Sequence, residues 1–126
     1  MANPSPALRW KKDVVRHDFE AAEAFLSIRL NPEMAKNLVR RLKHVSVTER
    51  RANDILRACG REPLPLNDPG VLRDLLKLAQ GERLSPVLVV SFDDGAEIAD
   101  GYHRVSLTYA LDPFGLVPVR IAGLAG

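Results

Sequence analysis

The hydrophobic pattern changes its period about two thirds of the way along the chain, and this change limits the fold more than any other feature. Up to about residue 80 the apolar side chains recur at helical spacing, whereas residues 86–92 form a continuous, valine-rich run typical of a buried strand. Asp94-Gly95 is a hairpin-turn dipeptide, so residues 96–99 are expected to return as a second strand. The combination of both periods predicts an α+β fold.

Start and stop signals define the helices around this hairpin. Asn31 is a good N-cap, and Pro32 fits the first helical position. Ser46 and Glu49 have the spacing of a capping box, and Gly60 is expected to end the helix that they open. The predicted helices are 18–29, 32–44, 46–60, 69–80 and 102–111, and a last strand is predicted over 117–122. The expected architecture is a small mixed sheet flanked by helices, with an N-terminal helical extension packed on it.

The chain has 126 residues, a length typical of one domain. It is predicted to divide into a helical N-terminal part, 8–61, and a mixed part, 62–122, after a frayed segment at 1–7. Apolar stripes predict the side chains that face the core in two of the helices: Met34, Leu38, Leu42 and Val45 in one, and Val71, Leu72, Leu75, Leu76 and Leu78 in the other.

The net charge of +2 hides an uneven distribution along the chain. Residues 1–61 contain 13 Lys and Arg against 7 Asp and Glu, whereas residues 62–126 contain 5 against 9. A basic half can attract nucleic acid or an acidic partner, and it can equally be a solvated surface or dock on its own acidic half.

Cysteine content and the N-terminal sequence limit the compartment. The single cysteine, Cys59, excludes an internal disulfide and a cysteine-rich zinc site, and no metal ligands are predicted. No basic segment followed by an apolar stretch opens the chain, and no apolar run approaches the roughly 20 residues of a membrane span. A cytoplasmic protein without membrane contact is expected.

Residues 100–104, Asp-Gly-Tyr-His-Arg, lie at the corner between the second strand and the following helix. Gly101 lets the backbone approach a ligand, and the first N–H groups of a helix favour an anion. Arg104 has a planar fork that matches phosphate oxygens, and His103 adds a donor that can also transfer protons. Phosphate suits all these features. The alternative is that Asp100 is an N-cap and Arg104 pairs with a nearby acid.

The elements on either side of this corner follow a recognisable order. The sequence "LSPVLVV…DG…IADGYHRVSLTYAL…LVPVRIA" joins a proline-headed strand, a hairpin, a D-G-x-H-R turn, a helix and a V-P-V strand. In this order and in the turn itself, residues 62–122 resemble the ParB/sulfiredoxin superfamily. The resemblance implies a nucleotide ligand (CTP, ATP or ADP), with or without Mg²⁺, whose phosphate contacts Gly101, Tyr102, His103 and Arg104.

Within that superfamily the D-G-x-H-R turn is most similar to the turn of the free-serine kinases. That branch also uses an upstream acid, and the acid in the corresponding position here is Asp68, with Glu62 as the alternative. The resemblance therefore implies a phosphotransferase or nucleotidase with Asp68, Asp100 and His103 as catalytic candidates. Asp68 also precedes Pro69, and a purely structural role as the N-cap of the next helix is the favoured alternative.

Two other branches of the superfamily fit less well. Sulfiredoxins carry a nucleophilic cysteine in the turn, where this chain has Tyr102, and Cys59 lies in a different segment. The sequence is therefore not expected to have sulfiredoxin activity. ParB proteins carry a second nucleotide motif and a DNA-reading helix-turn-helix downstream, which this sequence does not contain.

Two further functions are open at this level. The basic residues of 32–60 resemble two helices joined by a short turn, as in a DNA-binding protein. Val45 and Val47 crowd that turn and no glycine lies in it, so nucleic-acid binding is possible but not favoured. Alternatively, the same basic helices bind a partner in a regulatory protein whose phosphate site is degenerate. The oligomeric state is not predicted.

Overall fold

The structure is a computed structural model that describes residues 8–123. The frayed segment predicted at 1–7 lies outside these residues. The helices are α1 (Arg16–Arg29), α2 (Pro32–His44), α3 (Ala52–Cys59), α4 (Pro69–Ala79) and α5 (Tyr102–Leu111). The strands are β1 (Thr48–Arg51), β2 (Val87–Phe92), β3 (Gly95–Asp100) and β4 (Leu116–Gly123). The predicted α+β class is confirmed.

The strands form one open mixed sheet in the order β1-β4-β2-β3. β2 and β3 are the predicted antiparallel hairpin, and β4 runs parallel to β2 and antiparallel to β1. Val119 of β4 therefore lies between Val87 of β2 and Thr48 of β1. The helix α5 connects the hairpin to β4, the crossover that a parallel pair of strands requires.

The prediction of one helix over 46–60 is wrong in its first part. Residues Thr48–Arg51 are an edge strand, and α3 begins only at Ala52. The carbonyls of Gly115 and Pro113 accept the N–H groups of Ala52 and Asn53, so the segment just before β4 caps the start of α3. Ser46 and Glu49 do not form the expected capping box. No helix starts at Ser46, because the backbone from Thr48 onward is extended and pairs with β4.

Alternating side chains of β2 contact two different helical layers. Leu88 and Val90 pack against α1 and α2, whereas Val87 and Val89 pack against α3 and α5. This alternation follows from the two-residue period of a strand. Within the predicted helical extension, α1 and α2 pack on one face of the sheet, as predicted. The rest of the extension differs: β1 is a strand of the sheet, and α3 packs on the opposite face.

Some predicted core positions face solvent. Met34 is 37% exposed, Leu72 40% and Leu76 60%. In α2 the buried stripe is Ala35, Leu38, Val39 and Leu42, and in α4 it is Gly70, Val71 and Asp74. Leucines lie on both flanks of α4, so the sequence is compatible with two orientations of this helix. Packing against α5 selects the orientation in which Asp74 is buried.

Candidate functional site

The helix α5 begins at a glycine whose backbone angle few other residues adopt. Gly101 has φ of +111°, and its carbonyl accepts the N–H of Val105 at 3.0 Å. A Cβ at this position would lie 2.7 Å from Cγ2 of Val87 and 3.0 Å from Nη2 of Arg104. Because Gly101 has no side chain, it cannot cap the first N–H groups of α5, which remain oriented for an acceptor.

His103, in the first turn of α5, contacts the start of α4. Its Nε2 lies 3.5 Å from Oδ2 of Asp68, and its ring covers Gly70 so closely that a Cβ there would lie 2.3 Å from the ring. Asp68 is the N-cap of α4, because the same Oδ2 accepts the N–H groups of Gly70 and Val71 at 2.9 and 3.2 Å. The structure thus brings two of the predicted catalytic residues together at the meeting point of two helix N-termini.

Tyr102 is fixed by contacts on the opposite side of the turn. Its hydroxyl donates a hydrogen bond to the carbonyl of Glu62, and the guanidinium of Arg61 lies 5.9 Å from its ring centroid. The hydroxyl is therefore engaged with the backbone, so a phosphate contact from Tyr102 would use its N–H group. Glu62, the alternative acid, contributes a backbone carbonyl here.

Arg104 is nearly buried and already paired with two carboxylates. Its Nη2 lies 3.0 Å from Oδ2 of Asp100 and 3.2 Å from Oδ2 of Asp18, and it also donates to the carbonyl of Pro86 at 3.3 Å. Only 15% of its side chain is exposed. Its Nε is buried and has no partner among the described residues. The pairing of Arg104 with nearby acids is thus observed, and Asp100 is an ion-pair partner rather than an N-cap.

The two residues 103 and 104 point to different neighbours because successive helical residues are about 100° apart. His103 meets Asp68 of α4, whereas Arg104 meets Asp100 and Asp18. The predicted site residues therefore form two adjacent groups, His103 with Asp68 and Arg104 with Asp100, rather than one pocket.

A partly open polar cavity of about 390 Å³ lies beside Arg104. Four acidic residues line it together with Arg104: Asp18, Asp74, Glu82 and Asp100. Burial raises the pKa of Asp100, while Arg104 opposes this and the neighbouring Asp18 adds to it. Burial likewise raises the pKa of Asp74, opposed chiefly by the charge of Arg104.

Sequence reasoning missed Asp18 and Asp74. Asp18 shares the buried stripe of α1 with Ala22 and Leu26, and Asp74 shares that of α4 with Val71. Both aspartates are less than a tenth exposed. A carboxylate at an apolar position of a helix is a detectable signal, because charged residues are almost never fully buried unless paired.

The raised pKa of Asp74 has a consequence for stability that can be measured. The folded protein holds this proton more tightly than the unfolded chain, so the carboxyl stabilises the fold below its ordinary pKa of 3.8. This contribution is lost as pH rises through the raised value. Asp74→Asn, which stays neutral, is expected to exceed the parent in stability at pH 7 by about 1 kcal/mol. Denaturant unfolding of both proteins at pH 7 and pH 4 should show the gap closing in acid. A gap of the same size at both values would contradict the expectation.

The basic helices do not form a helix-turn-helix. β1 separates α2 from α3, and the two helices pack on opposite faces of the sheet. The prediction of two basic helices joined by a short turn is therefore wrong, because the connecting residues extend into a strand.

Comparison of this chain with protein-family models, with curated proteins and with solved structures found no match. Between residues 8 and 123, no helix is long and apolar enough to cross a membrane. Over the same residues, no three His, Cys, Asp or Glu side chains are grouped to hold a metal ion.

Proposed function

We propose that this protein binds a phosphate-bearing ligand, of which a nucleotide (CTP, ATP or ADP) is the expected form, at the corner formed by residues 101–104. The observation that carries the proposal is the uncapped start of α5 at Gly101, directly beside the His103–Asp68 pair. Backbone N–H groups at a helix start bind anions without needing a free cationic side chain. The resemblance of residues 62–122 to the ParB/sulfiredoxin superfamily supports the same reading.

In this proposal the phosphate contacts the first N–H groups of α5 and the ring of His103. Half of the His103 side chain is exposed, so a ligand can reach it. Arg104 acts at longer range, since its Nη2 is engaged by Asp18 and Asp100. It fixes the corner by joining the last residue of β3 to the first turn of α5.

The geometry also supports phosphotransfer or nucleotide hydrolysis at this corner. Asp68 lies within reach of His103, and an aspartate so placed can accept a proton from an attacking hydroxyl or from water. Mg²⁺, where the ligand brings it, would neutralise phosphate charge. Asp100 is tied to Arg104 and is assigned a structural contribution to the site.

A thermal-shift panel of CTP, ATP, ADP and inorganic phosphate, each with and without Mg²⁺, tests binding. One nucleotide is expected to raise the melting temperature with saturation, since stabilisation grows as RT ln(1 + [L]/Kd). His103→Ala should weaken binding about three- to tenfold through loss of one hydrogen bond. His44→Ala, at an exposed histidine of α2, is the matched control and should leave affinity unchanged.

Asp68→Asn separates capping from chemistry. Asparagine caps a helix as well as aspartate does, so stability and nucleotide affinity should be kept. Nucleotide turnover should be lost, because the amide cannot accept a proton.

Absence of any saturable shift in the thermal-shift panel, with the parent protein folded, would refute the phosphate site.

A further inference from the structure

The strand β1 leaves one edge of the sheet open. All four of its residues are exposed, and within residues 8–123 the only strand that pairs with it is β4. The outward N–H and C=O groups of such an edge can pair with a strand of another chain. Charged side chains usually discourage this pairing, unless the incoming strand carries the complementary charges in register. The partner of β1 is therefore defined by the charges along it.

The opposite edge of the sheet is covered by side chains from both helical layers. Glu97 of β3 lies 3.3 Å from the guanidinium of Arg29, at the end of α1. It also lies 3.6 Å from the guanidinium of Arg61, which follows α3. The two arginines reach the same carboxylate from opposite faces of the sheet, so they close over β3. The edge that is accessible along its whole length is β1.

The residues of β1 project alternately from the two faces of the sheet. Val117 of β4 packs against α3 and α5, and Arg50 lies directly opposite it, so Arg50 shares that face. Glu49 and Arg51 precede and follow Arg50. They therefore project from the other face, which α1 and α2 cover.

Two β1 strands have complementary charges in one register. A twofold axis normal to the sheet pairs antiparallel strands and keeps each side chain on its own face. With Arg50 at the axis, Glu49 of each copy faces Arg51 of the other, which makes two opposite-charge pairs. With Glu49 at the axis, the two glutamates face each other and no opposite-charge pair forms. We propose that two copies of this chain associate through β1 in the first register, so that their four-stranded sheets become continuous.

An exposed apolar patch adjoins this edge. Phe114 and Leu116 are both more than half exposed. Leu116 lies directly opposite Arg51, whose guanidinium is 5.9 Å from the ring centroid of Phe114. Apolar side chains beside open hydrogen-bonding groups are typical of an interaction surface, and they add contact area to a short strand. The small size of the edge indicates a weak dimer that forms at high protein concentration.

Sedimentation equilibrium of the full chain, from about 1 μM to about 1 mM, tests the association. The apparent mass is expected to rise from 13.9 kDa toward twice that value. Hydrogen exchange of backbone amides within 48–51 should slow over the same concentrations, because the partner strand protects them. A chain that stays monomeric throughout would leave the edge to a strand of a different protein and overturn the proposal.

A charge exchange tests the register. Glu49→Arg should weaken association about tenfold or more, because two arginines then face each other in each pair. Combining it with Arg51→Glu restores opposite charges in the same register and should return the affinity to within about threefold of the parent. Glu20→Arg, at an exposed glutamate of α1, changes the net charge equally and should leave association unchanged.

Melting curves establish that each variant is folded before its association is measured. A folded Glu49→Arg that associates as the parent does would place the interface elsewhere and overturn the proposal. Failure of the folded double variant to recover association would likewise overturn it, because the charge pairs that define the register would then be absent.

Discussion

Replacing Gly101 with alanine is expected to cost about 2 to 6 kcal/mol of stability. Two independent effects contribute. A non-glycine residue at φ of +111° is strained, at about 1 to 3 kcal/mol, and its Cβ would lie 2.7 Å from a methyl group of Val87 in the middle of the sheet. Val87 is fully buried, so it cannot move aside without disturbing its neighbours, which adds about 1 to 3 kcal/mol. Urea unfolding of the variant and the parent measures the loss.

Gly60→Ala is the matched control for the backbone term. Gly60 also has a positive φ, +62°, but a Cβ there would meet nothing within 4 Å. Its substitution should therefore cost only about 1 kcal/mol, the strain of the left-handed region. Equal losses at the two glycines would show that the contact with Val87 is absorbed, and that the corner at 101 is looser than its geometry indicates.

Arg104→Met is expected to destabilise the protein by about 3 to 5 kcal/mol, the usual cost of breaking a buried ion pair. The variant leaves the carboxylates of Asp18 and Asp100 next to each other without their shared cation. Asp18 is 3% exposed, so water does not replace the lost partner. Thermal and denaturant unfolding at pH 7 measure the loss. Arg16→Ala is the surface control and should cost less than about 0.5 kcal/mol, because Arg16 pairs with Glu20 in solvent.

A second substitution separates the loss of charge from the loss of packing. In the Arg104→Met background, Asp100→Asn should recover part of the stability, because it removes one of the two uncompensated carboxylates. Failure to recover would mean that packing of the arginine stem, and not the ion pairs, dominates. Arg104 variants are expected to lose stability, so a loss of nucleotide binding in them could reflect unfolding. His103→Ala is therefore the variant that tests binding.

The hairpin, α5 and β4 were predictable because their signals are local. The valine-rich run, the Asp-Gly turn and the helix-start glycine each act within a few residues of themselves. β1 was not predictable in this way, because Glu49, Arg50 and Arg51 have no strand pattern of their own. They are extended only because β4, more than 60 residues later in the chain, provides the pairing partner.

The residues of the candidate site also differ in whether their contacts could be predicted from local sequence signals. The juxtaposition of His103 with Asp68 followed from a family resemblance, and Asp68 was recognisable as a cap from the proline after it. The pairing of Arg104 with Asp18 was not foreseeable, since it joins residues 86 positions apart. Asp74 carried a local signal, an acid within a leucine stripe, but the stripe allowed a second orientation in which the acid faces solvent.

The position of β4 in the sheet bears on how the protein folds during synthesis. β4 lies between β1 and β2, yet the ribosome makes it after both. Until it emerges, β1 has no hydrogen-bonded neighbour and one edge of β2 is open. The helices and the β2–β3 hairpin can form earlier. The four-stranded sheet is complete only when β4 has paired with both β1 and β2. Nascent chains stalled before residue 116 are therefore expected to be protease-sensitive and dependent on chaperones, and those with β4 clear of the exit tunnel resistant.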